Sequence, residues 1–286
     1  MIWQAGRFAL DLTRPRIMGI VNATPDSFSD GGRSLAETLA HCDRLVAEGA
    51  DILDIGAESS RPGAQEISSA QELDRLMPVL EAALKLGVPI SIDTAKTEVM
   101  RVALTMGADV INDIGALRAP GALDVVAAHP SCGVCLMHMR GEPRSMQQAP
   151  LYDDVVFDVR EFLRDRTTQL LQRGVDASRI VLDPGIGFGK SVAHNFALLP
   201  GQQALLALGR PILAGWSRKS SLGAITGRAV AERLPASLAA GLAAVVWGAR
   251  VLRVHDVAAH VDALKVWKQA GLLEKAPSVS LSVAPV

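Results

Sequence analysis

Asp93, Asn112 and Asp183 lie far apart in the chain, yet each ends a short run of apolar, largely β-branched residues. Carboxylates accept hydrogen bonds and an amide both accepts and donates, so these three can bind a flat heterocycle carrying N–H donors and ring acceptors, such as a purine or pterin. Arg61, Lys219, Arg253 and His255 also fall just beyond such runs or at their ends, and they can bind anionic groups. Arginine does so through a bidentate fork and lysine as a point charge. The other run ends carry Asn22, Glu58 with Ser59 to Arg61, Asp113, His138 and Ser217 to Ser220. Any one of them serves equally well as a cap or turn residue, so the chemical reading depends on their converging at one rim.

Three other features read as structural. Cys132 and Cys135 form a CxxC, but no second ligand pair follows, and Cys135 lies in an expected strand where a redox pair would open a helix. Pro184-Gly-Ile-Gly-Phe-Gly-Lys-Ser191 nearly matches a phosphate-binding loop, but proline stands where the first glycine is required and removes an N–H. A glycine-rich turn beside a ring, with Phe188 stacking on or covering it, suits the segment better. Lys219 reads either as a Schiff-base nucleophile or as an ammonium donor; nothing in Ser217-Arg218-Lys219 desolvates it, which favours the donor.

The elements that must position these residues follow a repeated unit, a helix ending at glycine and then a short apolar strand ending at a polar residue. Gly49, Gly87, Gly107, Gly174, Gly209 and Gly248 precede strands over 51–56, 88–93, 108–113, 180–183, 212–215 and 251–255. Segments 17–22 and 133–138 bring the count to eight strands. Ser34 with Glu37 and Ser69 with Glu72 fit capping boxes at helix starts. Eight strands alternating with helices predict an α/β fold, a (β/α)8 TIM barrel in one domain over 1–275, whose active site sits at the C-terminal strand ends. No G-x-G-x-x-G opens the first helix, as an open dinucleotide-binding sheet would require. Residues 276–286 read as a flexible tail.

Composition agrees with one large soluble domain. The 286 residues are 49% apolar with a net charge of −1, which leaves no broad basic surface for nucleic acid. The Ala-rich uncharged stretch 235–249 is too short to span a membrane and reads as a buried or dimer-interface helix. No basic, apolar leader follows Met1, and three cysteines are too few for a disulfide framework; both point to the cytoplasm.

Ile17-Met-Gly-Ile-Val-Asn-Ala-Thr-Pro-Asp-Ser-Phe-Ser-Asp-Gly-Gly32 and Asp54-Ile-Gly-Ala-Glu-Ser-Ser-Arg-Pro-Gly63 resemble the two opening signatures of the dihydropteroate synthases. The resemblance continues through Ser91-Ile-Asp-Thr94, Ile111-Asn-Asp-Ile114, Leu136-Met-His-Met139, Asp183-Pro-Gly-Ile-Gly-Phe-Gly-Lys190, Ser217-Arg-Lys-Ser220 and Arg253-Val-His255, up to about Trp267. It implies condensation of a pterin methyl diphosphate with 4-aminobenzoate in folate biosynthesis, Mg²⁺ as cofactor, a homodimer and a sulfonamide target. It also implies a pterin pocket of Asp93, Asn112, Met137, Asp183, Phe188 and Lys219, and a pyrophosphate site of Asn22, Ser60, Arg253 and His255 with Asn22 on the metal. The 4-aminobenzoate would lie beside Ser60, Arg61, Pro62 and Phe188, its carboxylate near Ser220. Asp93, Lys219, Arg253 and His255 would carry catalysis, and the loops holding Asp26, Phe28 and Asp30 and holding Arg61 would close over the substrates. Ala57, Ser60 and Trp216 depart from the commoner Gly, Thr and smaller residue; the resemblance implies altered inhibitor affinity near Ser60, with activity retained. Two other functions suit the same fold. One is a barrel presenting methyltetrahydrofolate to a corrinoid protein, which would not need Arg253, His255 or the Ser217–Ser220 turn; the other is a sugar-phosphate isomerase or aldolase.

Overall fold

The computed structural model describes residues 1–23, 34–58, 66–141, 146 and 150–273. Eight parallel strands close into a barrel in chain order: β3 (Arg16–Asn22), β4 (Ile52–Gly56), β5 (Ile90–Asp93), β6 (Val110–Asp113), β7 (Gly133–Met137), β8 (Ile180–Asp183), β9 (Ile212–Ala214) and β10 (Ala249–Val254). Closure runs from Val251 against Arg16 to Val254 against Gly19. The helices α1 (Leu35–Ala47), α2 (Ser69–Ala83), α3 (Thr97–Met106), α4 (Ala122–Ala128), α5 (Val155–Gln172), α6 (Val192–Leu206), α7 (Ser220–Thr226), α8 (Leu234–Val246) and α9 (Val257–Gln269) alternate with the strands, with both α7 and α8 between β9 and β10. The expected α/β barrel is the observed fold. All six helix-ending glycines have positive φ, between 69° and 109°.

The helix starts show one correction. Ser34 and Glu37 form a reciprocal capping box as expected. For α2 the box lies one residue earlier, at Ser68 with Gln71. Glu72, expected to close that box, is instead turned inward at 1% exposure and accepts a hydrogen bond from Lys96 at 2.9 Å. A carboxylate buried beside an ammonium is held more firmly than one capping an exposed helix end.

A short hairpin that the strand grammar did not anticipate precedes the barrel: β1 (Ile2–Ala5) and β2 (Phe8–Asp11), paired antiparallel. Its Trp3, Ala5 and Leu10, with Leu12 beyond it, pack against the inward-facing Met18, Ile52, Val110, Cys135, Val181, Leu213 and Val251. Each fully buried Val, Leu, Ile or Met among them contributes about 1.5–3 kcal/mol, and this layer seals the floor of the barrel and leaves the opposite end for polar groups. Trp3 also donates its indole N–H to the Arg179 carbonyl at 3.0 Å. Outward-facing Leu53, Ile55, Ile90, Ile92, Ile111, Val134, Leu136 and Leu182 form a second core beneath the helices.

Cys132 belongs to the outer core and Cys135 to the barrel interior, and both are free and buried, in accord with a structural role. Among the described residues no helix is long and apolar enough to cross a membrane. The Ala-rich stretch forms α8, which buries Ala240, Ala244 and Val245. The expected tail at 276–286 lies outside the described residues.

Candidate active site

At the polar end of the barrel, Arg253 reaches inward from β10 and donates Nε to Asp54 Oδ2 and Nη2 to Asp93 Oδ2, each at 2.6 Å. Asn112 donates its amide to the same Asp54 oxygen at 3.1 Å. Asp54 is therefore the hub linking Asn112, Arg253 and, through the guanidinium, Asp93. The rim reading passed it over because it lies inside a strand. Its signal was an acid in an apolar run at the inward-facing parity of Ile52, since charged residues are almost never fully buried unless paired, and Asp54 is 0% exposed. Asp54 Oδ1 and the hydroxyl of its cross-strand neighbour Ser91 are buried without a partner among the described residues.

Burial pushes the Asp93 carboxyl above its usual range; the positive charge of Arg253 opposes this, and the negative charge of Asp54 reinforces it. Asp183 is likewise pushed up by burial, although its Oδ1 accepts the Gly185 N–H at 2.7 Å. Burial lowers the Lys219 ammonium to about 8, against the attraction of Asp183, so burial in the fold supplies the desolvation that was not evident in the turn sequence. Its Nζ lies 4.3 Å from the centroid of the Phe188 ring, in cation–π range.

An apolar wall stands beside these groups. Met137, Met139 and Met146 form a cluster against which Ile114 and Phe188 pack. Ile114 follows directly after Asn112 and Asp113, and the sequence reading quoted it only as part of a motif. Thioethers and one aromatic ring make an adaptable surface for the face of a flat ring whose edge meets carboxylates.

The glycine-rich turn after β8 is not a phosphate cradle. Lys190 is 3% exposed, and its ammonium lies 2.9 Å from Gly185 O, 3.0 Å from Phe188 O, 3.2 Å from His138 O and 3.0 Å from His138 Nδ1. Burial lowers its pKa to about 7. A Cβ at Gly185 or Gly189 would overlap the carbonyls of His138 and Arg140, so glycine is what lets the turn lie against the segment that follows β7. That packing positions Phe188.

On the anion-binding side, the His255 backbone N–H donates to Ser217 Oγ at 3.1 Å, and the same hydroxyl lies 3.0 Å from His255 Nδ1. The Ser217 hydroxyl has one proton and two lone pairs, so after accepting that N–H it pairs with Nδ1 in either tautomer and orients the ring. Burial, then the charges of Arg218 and Arg253, push the imidazole down to about 3, so at neutral pH it offers an N–H donor and no positive charge. Asn22 is exposed at the end of β3, and Ser220 is exposed as the first residue of α7. Ser60, Arg61 and Pro62, and the loop residues Asp26, Phe28 and Asp30, lie outside the described residues.

This constellation has counterparts among known proteins. The pterin binding enzyme family matches residues 18–255. The dihydropteroate synthase of Neisseria meningitidis serogroup B is 50% identical over 279 residues, covering 95% of this chain and 98% of that protein. The crystal structure of Xanthomonas albilineans dihydropteroate synthase with 4-aminobenzoic acid superposes with a TM-score of 0.88 at 50% identity, covering 94% of this chain and 98% of that one. Burkholderia cenocepacia dihydropteroate synthase complexed with 7,8-dihydropteroate gives a TM-score of 0.86 at 49% identity, covering 96% and 98%. With its barrel, its acid-edged slot and this likeness along nearly its whole length, the chain belongs to the pterin-binding enzymes and, among them, to the dihydropteroate synthases.

Proposed function

We propose that the chain condenses 6-hydroxymethyl-7,8-dihydropterin diphosphate with 4-aminobenzoate, giving 7,8-dihydropteroate and pyrophosphate. The observation that carries this reading is the pairing of a methionine-walled slot with half-buried Asp93 and buried Asn112 and Asp183 at one strand-end rim. The carboxylates accept ring N–H groups, Asn112 Oδ1 faces the same edge, and Lys219 donates to a ring acceptor while Phe188 covers the bound pair. The C–O bond to the diphosphate breaks first, and its electron pair leaves on the diphosphate oxygen. Positive charge grows on the methylene and spreads into the pterin, where Asp93 and Asp183 offset it. The aryl amine then attacks with its lone pair, forms the C–N bond and releases a proton to water. Positioning is its main requirement, which Phe188, Ser60, Arg61, Pro62 and the N-terminal end of α7 at Ser220 meet in this reading.

On the leaving-group side, Arg253 keeps donors beyond the two committed to Asp54 and Asp93, and His255 in this reading carries its one ring proton on Nε2 and donates it. Asn22 is assigned to that side as well, and the family resemblance assigns Ser60 to it. An exposed amide oxygen at Asn22 fits Mg²⁺, which keeps much of its shell as water and phosphate oxygens and needs few protein ligands. When bound, Mg²⁺ neutralises charge on the diphosphate. Cytoplasmic action and a homodimer belong to the same reading; exposed Ile225 (58%) and Val246 (44%) on α7 and α8 support the dimer, which light scattering tests. The activity itself is tested by incubating the protein with Mg²⁺, the pterin diphosphate and 4-aminobenzoate and measuring pyrophosphate. Release that depends on both organic substrates is expected. Release without 4-aminobenzoate, or none at all, rejects the assignment.

A further inference from the structure

The turn after β6 passes through two consecutive residues in the left-handed region, Ala116 (φ 51°) and Leu117 (φ 59°), and neither is glycine. A Cβ disfavours that conformation, so it persists only where the surroundings impose it. Here they do so from two sides. Asp113, 0% exposed, accepts the Gly115 N–H on Oδ1 and the Leu117 N–H on Oδ2, each at 2.6 Å. Arg166, 8% exposed, reaches over from α5 and donates Nε to Ala116 O and Nη2 to Leu117 O, each at 2.8 Å. Its Nη1 donates to Gln169 at 2.7 Å, and the exposed Arg118 adds a bond from Nε to Gly115 O at 3.0 Å.

Arg166 makes no ion pair within 4 Å among the described residues. A buried guanidinium with a carboxylate to neutralise would be ordinary; one directed at the carbonyls of a single strained turn is there for the turn. That turn carries Ile114 into contact with the methionine cluster beside Phe188, immediately after Asn112.

We propose that Arg166 is a positioning residue for the ring slot: through the carbonyls of Ala116 and Leu117, its guanidinium sets where Ile114 stands against the face of the bound pterin. The inference rests on the pterin-binding reading above and extends it to a residue on a helix outside the barrel. A purely stabilising role would lower the melting temperature and the active fraction of Arg166 variants without changing the balance between the two substrates.

The experiment is steady-state kinetics of Arg166→Met with both substrates varied, alongside calorimetric titration of wild type and variant with 6-hydroxymethylpterin. The expected result is a rise of about tenfold in KM for the pterin diphosphate and in Kd for the pterin, the scale of roughly one lost positioning hydrogen bond, with kcat and KM for 4-aminobenzoate within about twofold. Arg166→Lys, which keeps one donor, is expected to fall between and serves if the methionine variant does not fold. Ala116→Gly removes the Cβ at a left-handed position; in the Arg166→Met background it is expected to restore at least about threefold of the lost pterin affinity. Unchanged pterin constants in a folded variant, or equal rises for both substrates, overturn the inference while leaving the function intact. Wild-type protein that neither binds the pterin nor releases pyrophosphate removes the function, and the inference with it.

Discussion

Asp54→Asn perturbs the hub of the site while keeping its shape. The carboxylate is fully buried, and one of its oxygens takes both Arg253 Nε at 2.6 Å and Asn112 Nδ2 at 3.1 Å. Two charges about 4 Å apart interact by about 4 kcal/mol at an effective dielectric constant of about 20. Most of that attraction offsets the cost of burying the carboxylate and its repulsion with Asp93, and Arg253 keeps its bond to Asp93. What remains is the difference between a charge-assisted and a neutral hydrogen bond, about 1–2 kcal/mol, which lowers the melting temperature by roughly 2–4 °C in a domain of this size. Asp54→Ala also removes the acceptor and opens a cavity, at a cost of about 3–5 kcal/mol. The sharper signature is electrostatic. The Asp54 charge helps hold the Asp93 pKa above its usual range, so its loss lets Asp93 ionise at lower pH. The acid limb of pterin affinity, measured by titration from pH 4.5 to 8, is therefore expected to move to lower pH in Asp54→Asn. A melting temperature within about 1 °C of wild type together with an unmoved acid limb would refute the hub.

The remaining predictions concern the groups around that hub. Lys219 loses its proton near pH 8, below the ordinary lysine value, so it is charged below that pH and affinity for the pterin diphosphate should fall as pH rises through 8; an alkaline limb that persists in Lys219→Gln assigns the titration to another group. Borohydride should trap no substrate adduct on Lys219, and a trapped adduct would make it a nucleophile. Asp93→Asn should weaken pterin diphosphate binding or turnover on the order of 10²-fold, and near-normal kinetics would remove Asp93 from the scheme. Arg253→Ala should impair chemistry more than 4-aminobenzoate affinity, and it should also destabilise the fold by about 3–5 kcal/mol because Asp54 and Asp93 lose their shared cation, which urea denaturation measures. Lys190→Met leaves the carbonyls of Gly185, Phe188 and His138 without their donor and should loosen the turn that holds Phe188; retention of both wild-type stability and substrate KM values would remove the clamp.

The sequence by itself determined the barrel, the order of its elements and most of the rim. Helix-ending glycines, apolar runs and polar run ends are local signals, and they survive folding because backbone conformation and parity depend mainly on near neighbours. That is why Asp93, Asn112, Asp183, Lys219 and Arg253 were legible as candidates, and why the family signatures could be quoted from the chain. Tertiary structure decided which charges meet. Asp54 lies 199 positions from Arg253, and only the closure of β10 on β3, with β4 alongside, brings the two together. It also decided that Lys190 holds carbonyls and not phosphate, that His255 is neutral, that Glu72 leaves the cap of α2 for Lys96, and that the first hairpin plugs the barrel floor. Each of these outcomes balances desolvation against partners supplied by distant strands, and no local pattern records who those partners will be.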